Sequence, residues 1–175
     1  TPGPCDGTTF RRLEVRGGGL GGGISFGADG IGLEKGHAVV VEECWVHDNG
    51  GDGVDLNSRD TSGNVTGGVV RRNRVSGNRL MGIKLWAGGR MENNAVWGQG
   101  ITPVMLGRFP GSYVVVNNTV AFNMWDAAFA ERDYSLVAGY PWDDGTAPAI
   151  ALTLVGNVFA FNTGPAVGSP TGIYL

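Results

Sequence analysis

The chain repeats one frame six times, apolar-x-x-Asn-x-apolar-x-x-Asn-x-x-x-x-apolar-x-apolar, and this repeat constrains the fold more than any other feature. The fullest copy reads Val70, Asn73, Val75, Asn78, Ile83, Leu85. Others read Val41, Cys44, Val46, Asn49, Val54, Leu56 and Met91, Asn94, Val96, Gln99, Val104, Leu106. Two later copies are Val115, Asn118, Val120, Asn123, Ala128, Ala130 and Leu154, Asn157, Phe159, Asn162, Val167, and a degenerate first copy has Phe10, Leu13, Val15 and Gly18. Repeats of this length are stacked supersecondary units.

Aligned on the first Asn, the positions three before and two after it are apolar in every copy. The closing apolar pair is spaced by two, which is a strand signal, and Gly or Asn bounds each short strand. Two or three short strands per repeat, joined by turns, describe one coil of a parallel β-helix. Coils repeat about every 4.8 Å, so equivalent side chains stack in columns. Asn suits the bends, where it tolerates left-handed backbone. Stacked amides also satisfy one another's hydrogen bonds inside the coil. With 32 glycines and no 3.6-residue periodicity, a helical solenoid is disfavoured. The expected fold is all-β, a right-handed parallel β-helix of about six coils; the hand follows the rule for parallel crossovers.

At 175 residues and 42% hydrophobic content, residues 1–175 are expected to form a single domain with one long, thin core. A net charge of -3 and a pI near 5.3 provide no basic field for nucleic acid. No apolar run reaches the roughly 18 residues of a membrane span, and no signal peptide is visible. Cys5 and Cys44 make no metal pattern; Cys44 in the Asn column reads as a small buried hydrophobe, with a Cys5–Cys44 disulfide the lesser alternative. Both ends read as interrupted, the last on Gly172-Ile173-Tyr174-Leu175, a strand-like run. Either flanking coils are missing, the chain being a fragment of a longer β-helix, or self-association covers the ends.

Two segments break the rhythm. Gly17–Gly23 leaves open whether Ile24/Phe26 or Ile31/Leu33 supplies the first coil's last strand. Residues 131–149 form the longest insertion, carrying Tyr134, Tyr140, Trp142, Asp143 and Asp144, and long loops on rigid scaffolds are where function concentrates.

Strand alternation turns the residue between the closing apolar pair outward. Down the coils this column reads Asp55, Lys84, Met105, Phe129, which places Asp55 beside Lys84 on an exposed sheet. Asp52 enters the same strand and Asp48 precedes it. Carboxylates beside an ammonium suit β-elimination in a uronic-acid polymer. A hard cation such as Ca2+ takes carboxylate oxygens, and beside a uronate it acidifies the neighbouring C–H for removal by a lysine. His47 reads as a surface residue, and without a Ser-His-Asp spacing in the sequence nucleophilic hydrolysis of that kind has no support.

The stretch Asn49-Gly50-Gly51-Asp52-Gly53-Val54-Asp55-Leu56, followed by Gly82-Ile83-Lys84-Leu85, resembles the family 9 polysaccharide lyases, the pectate lyase group with a lysine base. That family has Asp-Asp-Gly-x-Asp-Leu supplying Ca2+ ligands and Gly-x-Lys-Leu in the next coil supplying the base. The resemblance implies a Ca2+ cofactor, Asp52 and Asp55 as ligands, Lys84 as base, and an extracellular or cell-surface setting. Gly51 stands where the family has its first Asp, and Asp29 is the candidate ligand from the preceding coil. Trp86, Arg108 and Trp142 are candidates for substrate contact, with Trp97, Trp125 and Phe129 as further aromatics for sugar stacking. The expected partner is therefore a polysaccharide, with neither nucleic acid nor membrane. Two alternatives stay open. One is a glycosidase using carboxylate pairs such as Asp55/Asp52 or Asp126/Glu131. The other is a non-catalytic glycan-binding, adhesin-like or structural β-helix.

Overall fold

The computed structural model describes residues 5–19, 28–34, 36–56, 66–123, 134–139 and 148–162. Every strand pair in it is parallel, and the strands lie in three sheets that the chain visits in turn. The first sheet stacks β1 (Thr9–Arg11), β4 (Val40–Glu42), β7 (Thr66–Arg71), β10 (Ala87–Glu92), β13 (Gly111–Val116) and β16 (Ile150–Val155). The second stacks β2 (Glu14–Arg16), β5 (Trp45–His47), β8 (Arg74–Ser76), β11 (Ala95–Trp97), β14 (Thr119–Ala121) and β17 (Val158–Ala160). The third stacks β3 (Ile31–Leu33), β6 (Val54–Leu56), β9 (Ile83–Leu85), β12 (Val104–Leu106) and β15 (Val137–Ala138). This is the all-β parallel coil that the repeat implies.

The register follows the repeat residue for residue. Phe10, Val41, Val70, Met91, Val115 and Leu154 pair in order across the first sheet. Val15, Val46, Val75, Val96, Val120 and Phe159 do so across the second. These side chains point inward and form the core together with Val54, Ile83, Val104 and the Leu56, Leu85, Leu106 column. Ile31 and Leu33 supply the third-sheet strand of the first coil, and Ile24 and Phe26 lie outside the described residues. In the fifth coil the third-sheet strand is Val137–Ala138, paired with Met105–Leu106, so Leu136 and Ala138 take the inward places expected for Ala128 and Ala130. The outward column therefore passes from Met105 to Val137, and the segment 131–149 contains a strand. Ala128, Phe129 and Ala130 lie outside the described residues.

Two amide ladders run up the inside of the corners flanking the second sheet. In one, the backbone N–H groups of Cys44, Asn73, Asn94 and Asn118 donate to the side-chain oxygens of Asn73, Asn94, Asn118 and Asn157, each at 2.9 Å. Each side-chain amide also donates one coil upward, as Asn73 Nδ2 does to Asn94 Oδ1 at 3.0 Å. The other ladder runs Asn49, Asn78, Gln99, Asn123, Asn162. Gln99 keeps its place with one extra methylene, donating to Val75 O and Trp97 O. The ladder residues themselves do not carry the left-handed bend. It falls on the residue before each: Arg12, Glu43, Arg72, Asn93 and Asn117 at one corner, Asp48, Phe122 and Phe161 at the other, all near φ +50° to +57°. A left-handed residue turns the chain, and the amide that follows fills the hydrogen-bond gap left in the sheet. Cys44 is buried and unpaired, and its Sγ contacts the carbonyl oxygens of Glu42 and Phe10.

Outside the first sheet, Glu42 accepts from Arg11, Arg71 and Arg72, and Glu43 from Arg11, Arg12 and Arg72, tying three coils together. The Arg12 and Arg11 guanidinium groups hold the partly exposed Glu43 carboxyl down at about 2.

Asn94→Ala removes the acceptor of the Asn73 N–H and side-chain amide and empties a buried polar slot. Leaving buried donors unsatisfied costs about 1–3 kcal/mol each, so a loss of about 3 kcal/mol is expected in urea unfolding. A loss below about 0.5 kcal/mol would show the ladder to be incidental.

Candidate functional site

The third sheet and the turn that leads into it build one charged cluster. The turns stack like the strands: Gly30 N–H donates to Asp52 O and Gly53 N–H to Met81 O, so Asp29, Asp52 and Met81 occupy one place in successive coils. Asp29 Oδ1 accepts the N–H of Asp52 at 2.7 Å, and Asp52 Oδ1 accepts the N–H of Met81 at 2.8 Å. Two carboxylates thus extend the logic of the amide ladders into the turn, each held by the coil above. One oxygen of each is committed to backbone, which fixes the direction of the other.

Asp55 lies in β6 and Lys84 beside it in β9, as the outward column requires. Lys84 Nζ sits 2.7 Å from Asp52 Oδ2 and 2.7 Å from Asp55 Oδ2. One carboxylate oxygen from each of Asp29, Asp52 and Asp55 lies within 4.8 Å of the other two. The expected exposed sheet is corrected here. The Lys84, Asp52 and Asp55 side chains keep 10%, 5% and 8% of their surface. Met105 packs in the next coil against Lys84, so the column turns from polar to apolar there.

Gly51 makes room for this arrangement. A Cβ on Gly51 would lie 2.5 Å from Asp29 Oδ1. Asp29 of the preceding coil thus fills the space that a side chain at position 51 would take. Asp48 does not join the cluster. It sits at a corner of the second sheet, bonded to His47 Nδ1 at 2.8 Å, while His47 Nε2 faces Glu14 at 3.3 Å. His47 is buried beneath Trp45, whose ring stacks on it at 4.0 Å, and is not a surface residue.

Burial works against charge throughout the cluster. It raises the Asp55 carboxyl to about 6, against the pull of the Lys84 ammonium and with a further push from Asp52. It likewise raises Asp29, opposed by the N–H of Asp52. Burial alone would lower Lys84, but the Asp55 and Asp52 carboxylates outweigh it and hold the amine protonated above the usual lysine value. In this arrangement Lys84 is an ammonium, and its contacts are those of a counter-ion.

Trp86 follows β9, and its ring carries Lys84 Nζ at 5.0 Å and the Arg108 guanidinium at 5.2 Å. Tyr113 fixes the backbone there. Its buried hydroxyl, pushed up to about 12 by desolvation and so neutral, lies 2.8 Å from Trp86 O and 3.1 Å from Phe109 O. Tyr113 was not singled out from the sequence, though its inward place two residues before Val115 marks it as core. The structure therefore joins Asp29, Asp52, Asp55, Lys84, Trp86 and Arg108. Trp142, Trp125, Phe129, Asp126 and Glu131 lie outside the described residues. The other exposed aromatics face elsewhere: Trp97 lies on the second sheet, and Phe122 stacks on Phe161 at 4.9 Å on its corner. Among the described residues they do not line one cleft with Lys84.

The donor set fits a hard divalent cation. It is all oxygen, three carboxylates from two adjacent coils, and a single ammonium leaves it with excess negative charge. Parallel coils with three sheets, cornered by left-handed residues and laddered amides, define a parallel β-helix. The chain belongs to the right-handed β-helix family, whose model, described as a right handed beta helix region, matches residues 4–138. No curated protein and no solved structure gives a significant match.

Lys84→Met leaves two buried carboxylates without their ammonium. Breaking a buried pair costs about 3–5 kcal/mol, expected in thermal or urea unfolding in chelator at pH 8. Asp55 has a folded pKa above its ordinary value, so the penalty for burying its anion is present above about 6 and fades as pH falls through that value. The gap between wild type and Lys84→Met should narrow in the same direction; a gap that widens on acidification would contradict the assignment.

Proposed function

We propose that this β-helix acts on an acidic, uronic-acid-containing polysaccharide, outside the cell or at its surface, by Ca2+-assisted β-elimination. The observation that carries this is the convergence of Asp29, Asp52 and Asp55 on Lys84, on a strand pair whose sequence resembles the lysine-base lyases. Asp29, Asp52 and Asp55 would hold the cation, which on binding supplies charge neutralisation of the uronate and acidifies the C5–H. Lys84, once unprotonated, takes the C5 proton. The C5–H electron pair becomes the C4=C5 double bond, the C4–O bond breaks, and the departing sugar oxygen takes a proton from water. Trp86 lies beside Lys84 and Arg108 lies against Trp86, and the two would meet a sugar face and a second carboxylate.

One observation favours a second reading. The near-complete burial of Lys84 and Asp55 also suits an internal ion pair in a non-catalytic glycan-binding or structural β-helix.

Ultraviolet absorbance of unsaturated uronides separates the two readings. Wild type on pectate, alginate and other uronic polymers should form product with Ca2+ and none with chelator. Losing the base should cost Lys84→Ala about a hundredfold or more in rate. Absence of product on every polymer, with no Ca2+ uptake, would leave the second reading.

A further inference from the structure

Lys84 sits where a cation would have to go. Its Nζ contacts Asp52 Oδ2 and Asp55 Oδ2 at 2.7 Å each, while Asp29 Oδ1 and Asp52 Oδ1 are committed to backbone N–H groups. The Oδ2 atoms of Asp52 and Asp55 both grip the ammonium. Calcium–oxygen distances of about 2.3–2.6 Å are close to these ammonium contacts, so both ions ask for the same space. Three carboxylates against one ammonium leave a net negative charge, which favours the ion of higher charge. The Trp86 face, 5.0 Å from Nζ, offers the amine a second resting place.

We propose that Lys84 is a tethered competitor for the cation. A divalent ion entering among Asp29, Asp52 and Asp55 expels the Lys84 amine from Asp52 and Asp55, and cation-free protein keeps the site closed with its own ammonium. This rests on the cation site of the proposed function and adds a consequence which that function does not require. A cation seated beside an undisturbed lysine would serve the chemistry of binding equally well. Exchange instead makes the affinity of the site depend on Lys84 and ties release of the amine to cation loading.

Lys35 and Lys84 are the two lysines of the chain, which makes the exchange readable in the wild type. Chelator-treated protein is acetylated with an amine-reactive ester across a Ca2+ titration, and each lysine is followed by peptide mass spectrometry. Exchange predicts that Ca2+ accelerates modification of Lys84 by about tenfold or more, with Lys35 as the internal reference. By calorimetry, Lys84→Met should bind Ca2+ about tenfold more tightly than wild type, since nothing has to be expelled. Wild type that binds Ca2+ with Lys84 reactivity unchanged, or Lys84→Met that binds no more tightly, overturns the exchange and leaves the cation site standing. Failure of both proteins to take up Ca2+ overturns the exchange and the cation site together. Should Lys84→Met fail to fold in chelator, the wild-type labelling decides alone.

Discussion

Everything in this molecule depends on the hydrogen bond from a corner N–H to the side-chain oxygen of the residue stacked one coil above. Between strands the backbone turns through a left-handed residue, and sheet pairing lapses there. An amide in the next coil restores the missing acceptor and donates onward, so polar groups buried at the corner are satisfied coil after coil. Shifting one coil by one residue would break both ladders and turn the apolar columns outward together. Register is thereby fixed over a long stack that has only short strands to define it.

The charged cluster is a by-product of that same register. Asp29 and Asp52 perform in the turn what Asn performs at the corners, accepting the N–H of the residue above. Since the turn opens onto the outward side of the third sheet, their remaining oxygens are aimed at the column of Asp55 and Lys84. No loop has to close to assemble the group. A rigid scaffold brings carboxylates from two adjacent coils together with the lysine of a third before any ligand arrives, at the cost of burying like charges near one another. Lys84 offsets that cost, and the offset gives it a role beyond any in catalysis.

The stacking was legible because the repeat is spatial as well as sequential: Val70 aligns with Met91 in the sequence and pairs with it in the sheet. The adjacency of Asp55 and Lys84 followed from the same column. Burial was not legible, since alternation tells which way a side chain points and not what lies beyond it. His47 misled for this reason, pointing outward yet covered by Trp45. In the fifth coil the frame is interrupted, and Leu136 and Ala138, inside the segment 131–149 that the spacing assigns to an insertion, fill the core. The partnership of Asp29 with Gly51 joins residues 22 apart across a degenerate coil, and only the clash at a Cβ on Gly51 reveals it.

The most direct measurement is a crystal structure with a lanthanide in place of Ca2+, located by its anomalous scattering. The predicted result is one strong peak among the Asp29, Asp52 and Asp55 carboxylates, with Lys84 Nζ withdrawn from Asp52 and Asp55. A map without that peak, in which Lys84 still grips both carboxylates at saturating metal, would contradict the assignment of this cluster as a cation site.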